Sequence, residues 1–287
     1  MTITAGIVLV LVEMATIAFL ARTKAAARWC SLLAFLLLPL PVWVNTLPFN
    51  RSVLATFMFW VWVRSTDLAL DGPPESFLER LAHVSAIVDT RLARACPSRF
   101  DHRAAGRAAI SLAIMAGAFW VIWLTREILV VRWLAGSVLV VAGFEALTAV
   151  IGLLALALGF DAPALSDAPY RSVSVNEFWS RRWNRVVSEV LRQRVFKPFV
   201  KRSPGLALGL AFAASAGLHL YLIGVNLNLL HTLCWASFFL VQPLVILAER
   251  KLEVEKWPPL AGWLWTVTIL LLLAPLFIEP SIRLFNL

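Results

Sequence analysis

The sequence is short of charge, of cysteine and of metal-binding motifs, and each shortage excludes a class of protein. Only 15% of the 287 residues are charged while 60% are hydrophobic, a balance that leaves too little polar surface for a soluble domain. The three cysteines lie far apart without CxxC spacing, so we expect neither disulfides nor a zinc or redox site. The four histidines form no HExxH pair, and no bound metal is predicted.

The sequence contains long apolar runs and few charged residues. A transmembrane helix needs roughly 20 apolar residues to cross a hydrocarbon core of about 30 Å, and about eight blocks meet that requirement. We therefore predict an all-α polytopic membrane protein in which residues 1–287 form a single transmembrane domain. Its compartment is the plasma (inner) membrane if the protein is bacterial and the endoplasmic reticulum if it is eukaryotic. The predicted spans are Thr4 to Ala21, Trp29 to Leu47, Val53 to Leu70, Ala108 to Thr125, Trp133 to Phe160, Gly205 to Val225, Leu229 to Ala248 and Ala261 to Ile278.

Two spans carry expectations of their own. The first has no basic leader and no Ala-x-Ala cleavage pattern after it, so we expect a retained helix rather than a signal peptide. The fifth, 133–160, is long enough that it must tilt, protrude or break, with Gly152 as a candidate break.

The basic residues lie on one side of the predicted bilayer. Of the 26 Lys and Arg, only Arg51, Arg126, Arg132 and Arg283 fall on one face. The other 22 flank the opposite ends of the spans, mainly in the polar segments 71–107 and 161–204. Because cytoplasmic loops are enriched in Lys and Arg, these two segments are predicted to be cytoplasmic and both termini non-cytoplasmic. The net charge of +9 is thus explained by membrane lipids, and nucleic acid is not expected as a partner.

Both cytoplasmic segments contain amphipathic patterns typical of helices lying in the membrane interface. In the first, helical spacing joins Phe77, Leu78, Leu81, Val84 and Val88. In the second, Ser174 to Pro198 is predicted as one amphipathic helix, with Asn184 at the border of its apolar arc. The arc comprises Val175, Phe178, Trp179, Trp183, Val186, Val190 and Leu191.

The span from Gly205 to Val225 combines two faces. A small residue recurs every fourth position, at Gly205, Gly209, Ala213 and Gly217, which predicts close packing on a neighbouring helix. Ser215, His219 and Asn226 occupy a different face, as the lining of a cavity requires. An ionisable side chain within the bilayer is a functional candidate by default, although a histidine hydrogen-bonded to a neighbouring helix is the structural alternative. Glu13 and Glu145 are also intramembrane, and we assign them no role.

Two motifs carry a resemblance to a known family. F-W-S-R-R-W-N, from Phe178 to Asn184, resembles the F-W-x-x-R-W-N/H signature of wax synthases, a branch of the membrane-bound O-acyltransferase superfamily. S-A-G-L-H, from Ser215 to His219, is similar to that family's S-G-x-x-H segment, which carries its most important histidine. More loosely, F-F-L-V-Q-P-L-V and the region from Arg51 to D-G-P resemble other parts of the family. Two positions depart from it: Leu220 stands where many relatives have Glu, and Gln242 where plant-type wax synthases often have a second His.

The resemblance implies transfer of an acyl group from acyl-CoA, a donor substrate rather than a resident cofactor, to the hydroxyl of a lipid alcohol. A fatty alcohol, giving a wax ester, is the acceptor that we expect. A sterol, a diacylglycerol or a secondary metabolite is the alternative within this chemistry, and a non-catalytic lipid transporter or assembly factor is the alternative outside it. The oligomeric state is left open.

Roles for individual residues follow from this chemistry. His219 is the predicted general base, because neutral imidazole suits removal of the hydroxyl proton, and Asn184 is its predicted catalytic partner. Gln242, Ser215, Trp179 and Trp183 are predicted to bind substrate, and an amide at Asn184 or Gln242 suits the developing oxyanion. Arg181, Arg182 and Arg185 are predicted to attract CoA phosphates, with anionic lipid headgroups as the alternative partner.

Overall fold

The protein is described by a computed structural model that covers residues 1–87 and 89–284. Within these residues, eight helices are long and apolar enough to cross a membrane. The prediction of an all-α, multi-pass integral membrane protein is therefore confirmed. The chain divides into two compact units, one of Met1–Ala93 with Tyr221–Asn228 and one of Arg94–Leu220 with Leu229–Leu287.

The first unit is built on four helices, α1 to α4, whose apolar faces form one core. Their bounds are Ile3–Leu20, Lys24–Leu37, Pro48–Asp71 and Phe77–Ser85, with a 3-10 turn at Leu40–Trp43 that extends the second predicted span. At Gly6 of α1, an added Cβ would lie 2.8 Å from the Leu54 side chain of α3, so glycine permits this close approach. The Ser31 and Thr66 hydroxyls join α2 to α3 at 2.7 Å.

The surface helix predicted in segment 71–107 corresponds to α4, although Val88 lies outside the described residues. Val84 is buried while Leu78 is 71% exposed. One face of α4 therefore packs on the unit and the other is free.

A cluster of charged and polar side chains, with Arg64 and His83 buried and Arg91 exposed, joins α3 to the segment after α4. Arg64 is 1% exposed and donates to Asp67 at 2.8 Å, while Arg91 pairs with Asp89 at 2.7 Å. His83, also 1% exposed, shares a hydrogen bond with Thr90 at 3.0 Å. Burial, reinforced by the positive charge of Arg64, lowers the pKa of His83 from 6.5 to about 4.

The second unit contains the remaining helices, α5 to α12, except that the end of α10 from Tyr221 onward belongs to the first unit. Their bounds are His102–Leu124, Leu129–Ala157, Val175–Glu177, Arg185–Leu191, Lys197–Val200, Pro204–Gly224, Leu229–Lys251 and Pro259–Arg283. The helix α6 is continuous, so the fifth predicted span does not break at Gly152, and it ends at Ala157 rather than Phe160. The chain beyond it forms a short antiparallel pair, in which Arg94–Ala95 (β1) faces Phe160–Asp161 (β2).

One close contact joins α6 to α12. At Gly136 of α6, an added Cβ would overlap the Ile278 side chain of α12, so only glycine fits there. Ile122, Ala274 and Ile278 form the buried cluster around this crossing, and Arg132 pairs with Glu279 beside it. The small-residue stripe of α10 behaves differently: Cβ atoms built at Gly205, Gly209 and Gly217 meet nothing within 4 Å. The prediction that this stripe packs closely on a neighbouring helix is therefore wrong.

The single amphipathic helix predicted from Ser174 to Pro198 is also wrong. After α7 the chain forms a π turn at Phe178–Arg182, leaves the helix at Trp183 and Asn184, and resumes as α8. A second π turn at Arg192–Phe196 precedes α9. The break follows from the backbone of Asn184, whose φ of 36° and ψ of 61° are left-handed. Asparagine adopts this conformation more readily than most residues, and a periodicity argument does not register it.

We predict that His83 makes the first unit sensitive to mild acid. Because the pKa of His83 is lower in the folded protein than in the unfolded chain, its contribution is complete above about pH 6.5 and is lost as the pH falls from 6.5 toward 4. The slope is at most about 1.4 kcal/mol per pH unit. Asp89, whose pKa is lowered to about 2 by hydrogen bonds from Arg91 despite its burial, acts only below this window.

The measurement is thermal unfolding of the purified protein in detergent between pH 7.5 and 4.5. We expect the midpoint of His83→Gln to depend less on pH than that of the wild type. The exposed His102→Gln serves as the control and should keep the wild-type slope. Identical slopes in wild type and His83→Gln would contradict the prediction.

Candidate active site

A cavity of about 210 Å³ in the second unit brings most of the predicted site residues together. Its walls are mainly apolar, and its polar lining includes His219, Ser215 and Asn184. Two arginines, Arg192 and Arg250, also line it and are exposed. The other lining residues are Asn176, Trp179, Ser180, Trp183, Val187, Ser188, Leu191, Phe196, Leu208, Ala211, Phe212, Phe239 and Ile246.

The cavity extends along α11, from the end of the helix that is predicted to face the cytoplasm toward the middle of the span. Phe239 and Arg250 both line it, and a helical rise of 1.5 Å per residue separates their levels by about 16 Å. The His219 ring stacks on Phe239, with 3.8 Å between ring centroids. His219 therefore lies at the deep end, and the exposed Arg250 at the outer end.

His219 is held in one orientation by its own helix and by aromatic neighbours. Its Nδ1 lies 2.7 Å from the backbone carbonyl oxygen of Ser215, one turn earlier in α10. Since a carbonyl oxygen can only accept, Nδ1 must carry the proton, and the neutral ring then has its lone pair on Nε2. Trp235 packs edge-on at 5.2 Å between centroids. The fixed tautomer gives His219 the form that a general base requires.

Asn184 reaches the same cavity from the break between the π turn and α8. Its Oδ1 caps α8 by accepting a hydrogen bond from the Val187 amide at 3.4 Å. The oxygen of the side-chain amide is thus used for capping, separately from its nitrogen. The Nδ2 group has no hydrogen-bond partner among the described residues, so it remains an available donor without net charge. A left-handed cap alone would also explain asparagine at this position, and only a substitution separates the two roles.

The aromatic residues of the F-W-S-R-R-W-N motif support this break. Trp183 lies between Phe144 and Phe178, with centroid distances of 4.7 and 5.5 Å and nearly parallel rings. Trp179 packs edge-on against Phe212 at 5.8 Å. Both tryptophans line the cavity, as predicted for substrate-binding residues, and both also fix the motif segment to its neighbours.

Gln242 is placed differently from the prediction of direct substrate contact. It is fully buried and is not part of the cavity lining. Its Oε1 accepts from Trp179 Nε1 at 3.1 Å, and its Nε2 donates to the Phe238 carbonyl at 3.0 Å. Gln242 therefore orients Trp179, which itself lines the cavity.

The three arginines predicted to meet CoA phosphates do not line the cavity. Arg181 and Arg185 are exposed elsewhere, and Arg182 donates to Glu177 at 2.8 Å. The arginines at the cavity are Arg192, paired with Glu189 at 2.6 Å, and Arg250, which has no ion pair among the described residues.

Glu249 is a further residue that sequence reasoning missed. It is 4% exposed, and its carboxylate accepts from the backbone amides of Val175 and Asn176 at 2.6 and 2.9 Å and from Trp265 at 2.9 Å. It thus caps the start of α7 and attaches the motif segment to α11 and α12. In the sequence, Glu249 is an acidic residue directly after an apolar span. This pattern is equally typical of a helix end exposed to solvent, so it does not predict a buried cap.

Comparison with known proteins shows which family this segment is similar to. Residues 162–241 match the model of the membrane bound O-acyl transferase family, and this range includes Asn184 and His219. The chain is 31% identical over 149 residues to the probable long-chain-alcohol O-fatty-acyltransferase 2 of Arabidopsis thaliana, covering 46% of this chain and 42% of that protein. It is 29% identical over 147 residues to the probable long-chain-alcohol O-fatty-acyltransferase 3 of the same organism, covering 46% of this chain and 43% of that protein.

A shorter match has higher identity. The probable long-chain-alcohol O-fatty-acyltransferase 9 of Arabidopsis thaliana is 46% identical over 46 residues, covering 16% of this chain and 14% of that protein. The matched segments thus span less than half of each of these relatives. Over the part of the chain that they cover, the predicted resemblance to the wax-synthase-type branch of the membrane-bound O-acyltransferases is confirmed.

Proposed function

We propose that this protein transfers an acyl group from acyl-CoA to the hydroxyl of a long-chain alcohol, releasing a wax ester and free CoA. The observation that carries the proposal is the convergence of two groups on one apolar cavity. His219 offers a lone pair on Nε2, and Asn184 offers an uncharged amide donor on Nδ2. Proton removal and oxyanion stabilisation are the two requirements of ester formation from a thioester.

In the proposed reaction, His219 Nε2 takes the hydroxyl proton as the alcohol oxygen attacks the thioester carbonyl carbon. The carbonyl oxygen becomes an oxyanion and accepts a hydrogen bond from Asn184 Nδ2. The carbon–sulfur bond then breaks, the ester forms, and the thiolate of CoA receives the proton from His219. Each proton and electron pair is accounted for, and the histidine returns to its neutral form.

The apolar walls support the same chemistry. Leu208, Phe212, Phe239 and Ile246 face the cavity, so an acyl chain finds a dry environment. Exclusion of water limits hydrolysis of the thioester and strengthens the hydrogen bond to the oxyanion. The regular α10 helix and the stacked Phe239 keep the histidine in one orientation before the substrate binds. A preorganised base favours the transition state and so contributes to the rate.

The outer end of the cavity suits the anionic part of the donor. CoA carries phosphate groups, and guanidinium groups bind phosphate through charge-assisted hydrogen bonds. We propose that Arg250, together with Arg192, which also lines the cavity, holds these phosphates. The binding of CoA phosphates by Arg181, Arg182 and Arg185 stays a prediction from the sequence. Anionic lipid headgroups suit the positions of these arginines outside the cavity.

The acceptor and the orientation belong to the same proposal. The names of the Arabidopsis thaliana relatives describe action on long-chain alcohols, which favours a fatty alcohol over a sterol, a diacylglycerol or a secondary metabolite. The basic segments 71–107 and 161–204 are proposed to face the cytoplasm, with both termini on the opposite side. The donor would then enter from the cytoplasm, where acyl-CoA is made.

The first test concerns the general base. Purified wild-type protein, supplied with labelled acyl-CoA and a panel of alcohols, should form ester, whereas His219→Ala should lose about 10²–10⁴-fold in turnover. His102→Ala, which removes an exposed histidine, is the control and should retain activity. Equal ester yield from wild type and His219→Ala, with both folded, would rule out His219 as the base.

The second test separates the chemistry of Asn184 from its backbone role. Asn184→Gly preserves the left-handed backbone and removes the amide, and Asn184→Asp preserves the capping oxygen and removes the donor. We expect both to lower kcat by about 10²-fold, the usual effect of removing one oxyanion donor. Unchanged kcat in Asn184→Gly would reduce Asn184 to a structural cap.

The third test compares two arginines at different positions. Arg250→Gln should raise the KM for acyl-CoA about tenfold with little change in kcat, because ground-state binding is weakened. Arg181→Gln removes an exposed arginine outside the cavity and should leave KM unchanged. A rise in KM for Arg181→Gln without one for Arg250→Gln would reverse the assignment.

A further inference from the structure

The short stretch from Leu165 to Asp167 lies against the break that presents Asn184. The Arg185 amide donates to the Leu165 carbonyl at 2.7 Å, and the Asp167 amide donates to the Arg182 carbonyl at 2.9 Å. These two hydrogen bonds flank Trp183 and Asn184 on both sides. The left-handed turn is therefore held in place by a second segment of backbone.

Ser166, at the centre of that stretch, is anchored to the transmembrane helix α6. It is 5% exposed, and its hydroxyl donates to the Glu145 carboxylate. The Thr148 hydroxyl lies 3.2 Å away, one turn further along α6. Glu145 thus has a partner outside its own helix, which explains how an acidic residue is accommodated in an apolar span.

The neighbouring residue of α6 supports the same break from its other side. Phe144 stacks on Trp183, which directly precedes Asn184. Two adjacent residues of one continuous helix thus hold the turn, one through an aromatic ring and the other through Ser166. A misplacement of about 1 Å in a catalytic group can lower a rate by up to about 10²-fold, so this support bears on the reaction itself.

We infer that Glu145 and Ser166 are positioning residues for Asn184, acting by fixing the 165–167 stretch to α6. The inference rests on the proposed role of Asn184 as the oxyanion donor. Loss of the Glu145–Ser166 hydrogen bond loosens the clamp on residues 182–185, and the Nδ2 group of Asn184 no longer keeps its place in the cavity. Acyl-CoA binding, which depends on the outer end, is unaffected.

The experiment measures kcat and KM for Glu145→Leu, Glu145→Gln and Ser166→Ala in the full chain. Glu145→Leu and Ser166→Ala should each lower kcat about tenfold at unchanged KM. Glu145→Gln retains an acceptor oxygen for Ser166 and should stay within about twofold of wild type. The double variant Glu145→Leu with Ser166→Ala should be no slower than either single variant, because each substitution removes the same hydrogen bond.

A background variant and a matched control complete the design. In Asn184→Gly protein, Glu145→Leu should cause no further loss of kcat, since its effect acts through Asn184. Ser137→Ala removes a hydroxyl from α6 that, among the described residues, bonds only to its own helix, at the Trp133 carbonyl, and should leave kcat unchanged. A loss of kcat by Glu145→Leu that persists in the Asn184→Gly background would overturn the inference.

Amide hydrogen exchange gives a readout that does not depend on turnover. Peptides covering residues 182–188 should exchange faster in Glu145→Leu and Ser166→Ala than in wild type or Ser137→Ala. Unchanged exchange, or faster exchange with unchanged kcat, would overturn the positioning role. If wild-type protein transfers no acyl group, the proposed function fails, whereas faster exchange in the two variants would still establish the clamp.

Discussion

Where a chain leaves the helix in apolar surroundings, each freed backbone amide and carbonyl must find another partner. The motif segment after Ser174 meets this requirement with partners from several elements. Glu249 caps its start, the stretch beside Ser166 pairs with its centre, and Asn184 caps the helix that follows. Because all three partners lie in the second unit, the irregular backbone is fixed by the same helices that form the cavity.

This constraint explains why the two principal candidate residues are held so differently. His219 lies on a regular helix, and a carbonyl one turn away sets its tautomer. Asn184 has a left-handed backbone, which its own cap on the Val187 amide and groups from other segments maintain. The tautomer of the histidine is thus set within its own helix, while the asparagine also depends on long-range contacts. Residues remote from the cavity, such as Gln242 and Glu145, then matter through the aromatic ring or the turn that they orient.

The sequence predicted the parts of this arrangement that follow from regular periodicity. Apolar runs located the eight spans within a few residues, since the bilayer sets their length, and the polar face of α10 singled out Ser215 and His219. The motif helix was predicted wrongly, because a left-handed residue and two π turns leave the hydrophobic pattern unchanged while rotating every later side chain. Among the arginines of this segment, Arg192 rather than Arg181 or Arg185 lines the cavity. Arg250 and Glu249 escaped notice for another reason: both lie at the end of a span, where charge is ordinary.

The central claim is that His219 and Asn184 act on one reacting carbonyl group. The most direct measurement is an experimental structure of the protein with a non-reactive acyl-CoA analogue that retains the carbonyl group. We predict that the carbonyl oxygen lies about 2.7–3.1 Å from Asn184 Nδ2, with His219 Nε2 facing the space beside the carbonyl carbon. A bound analogue whose carbonyl group contacts neither residue would contradict the account.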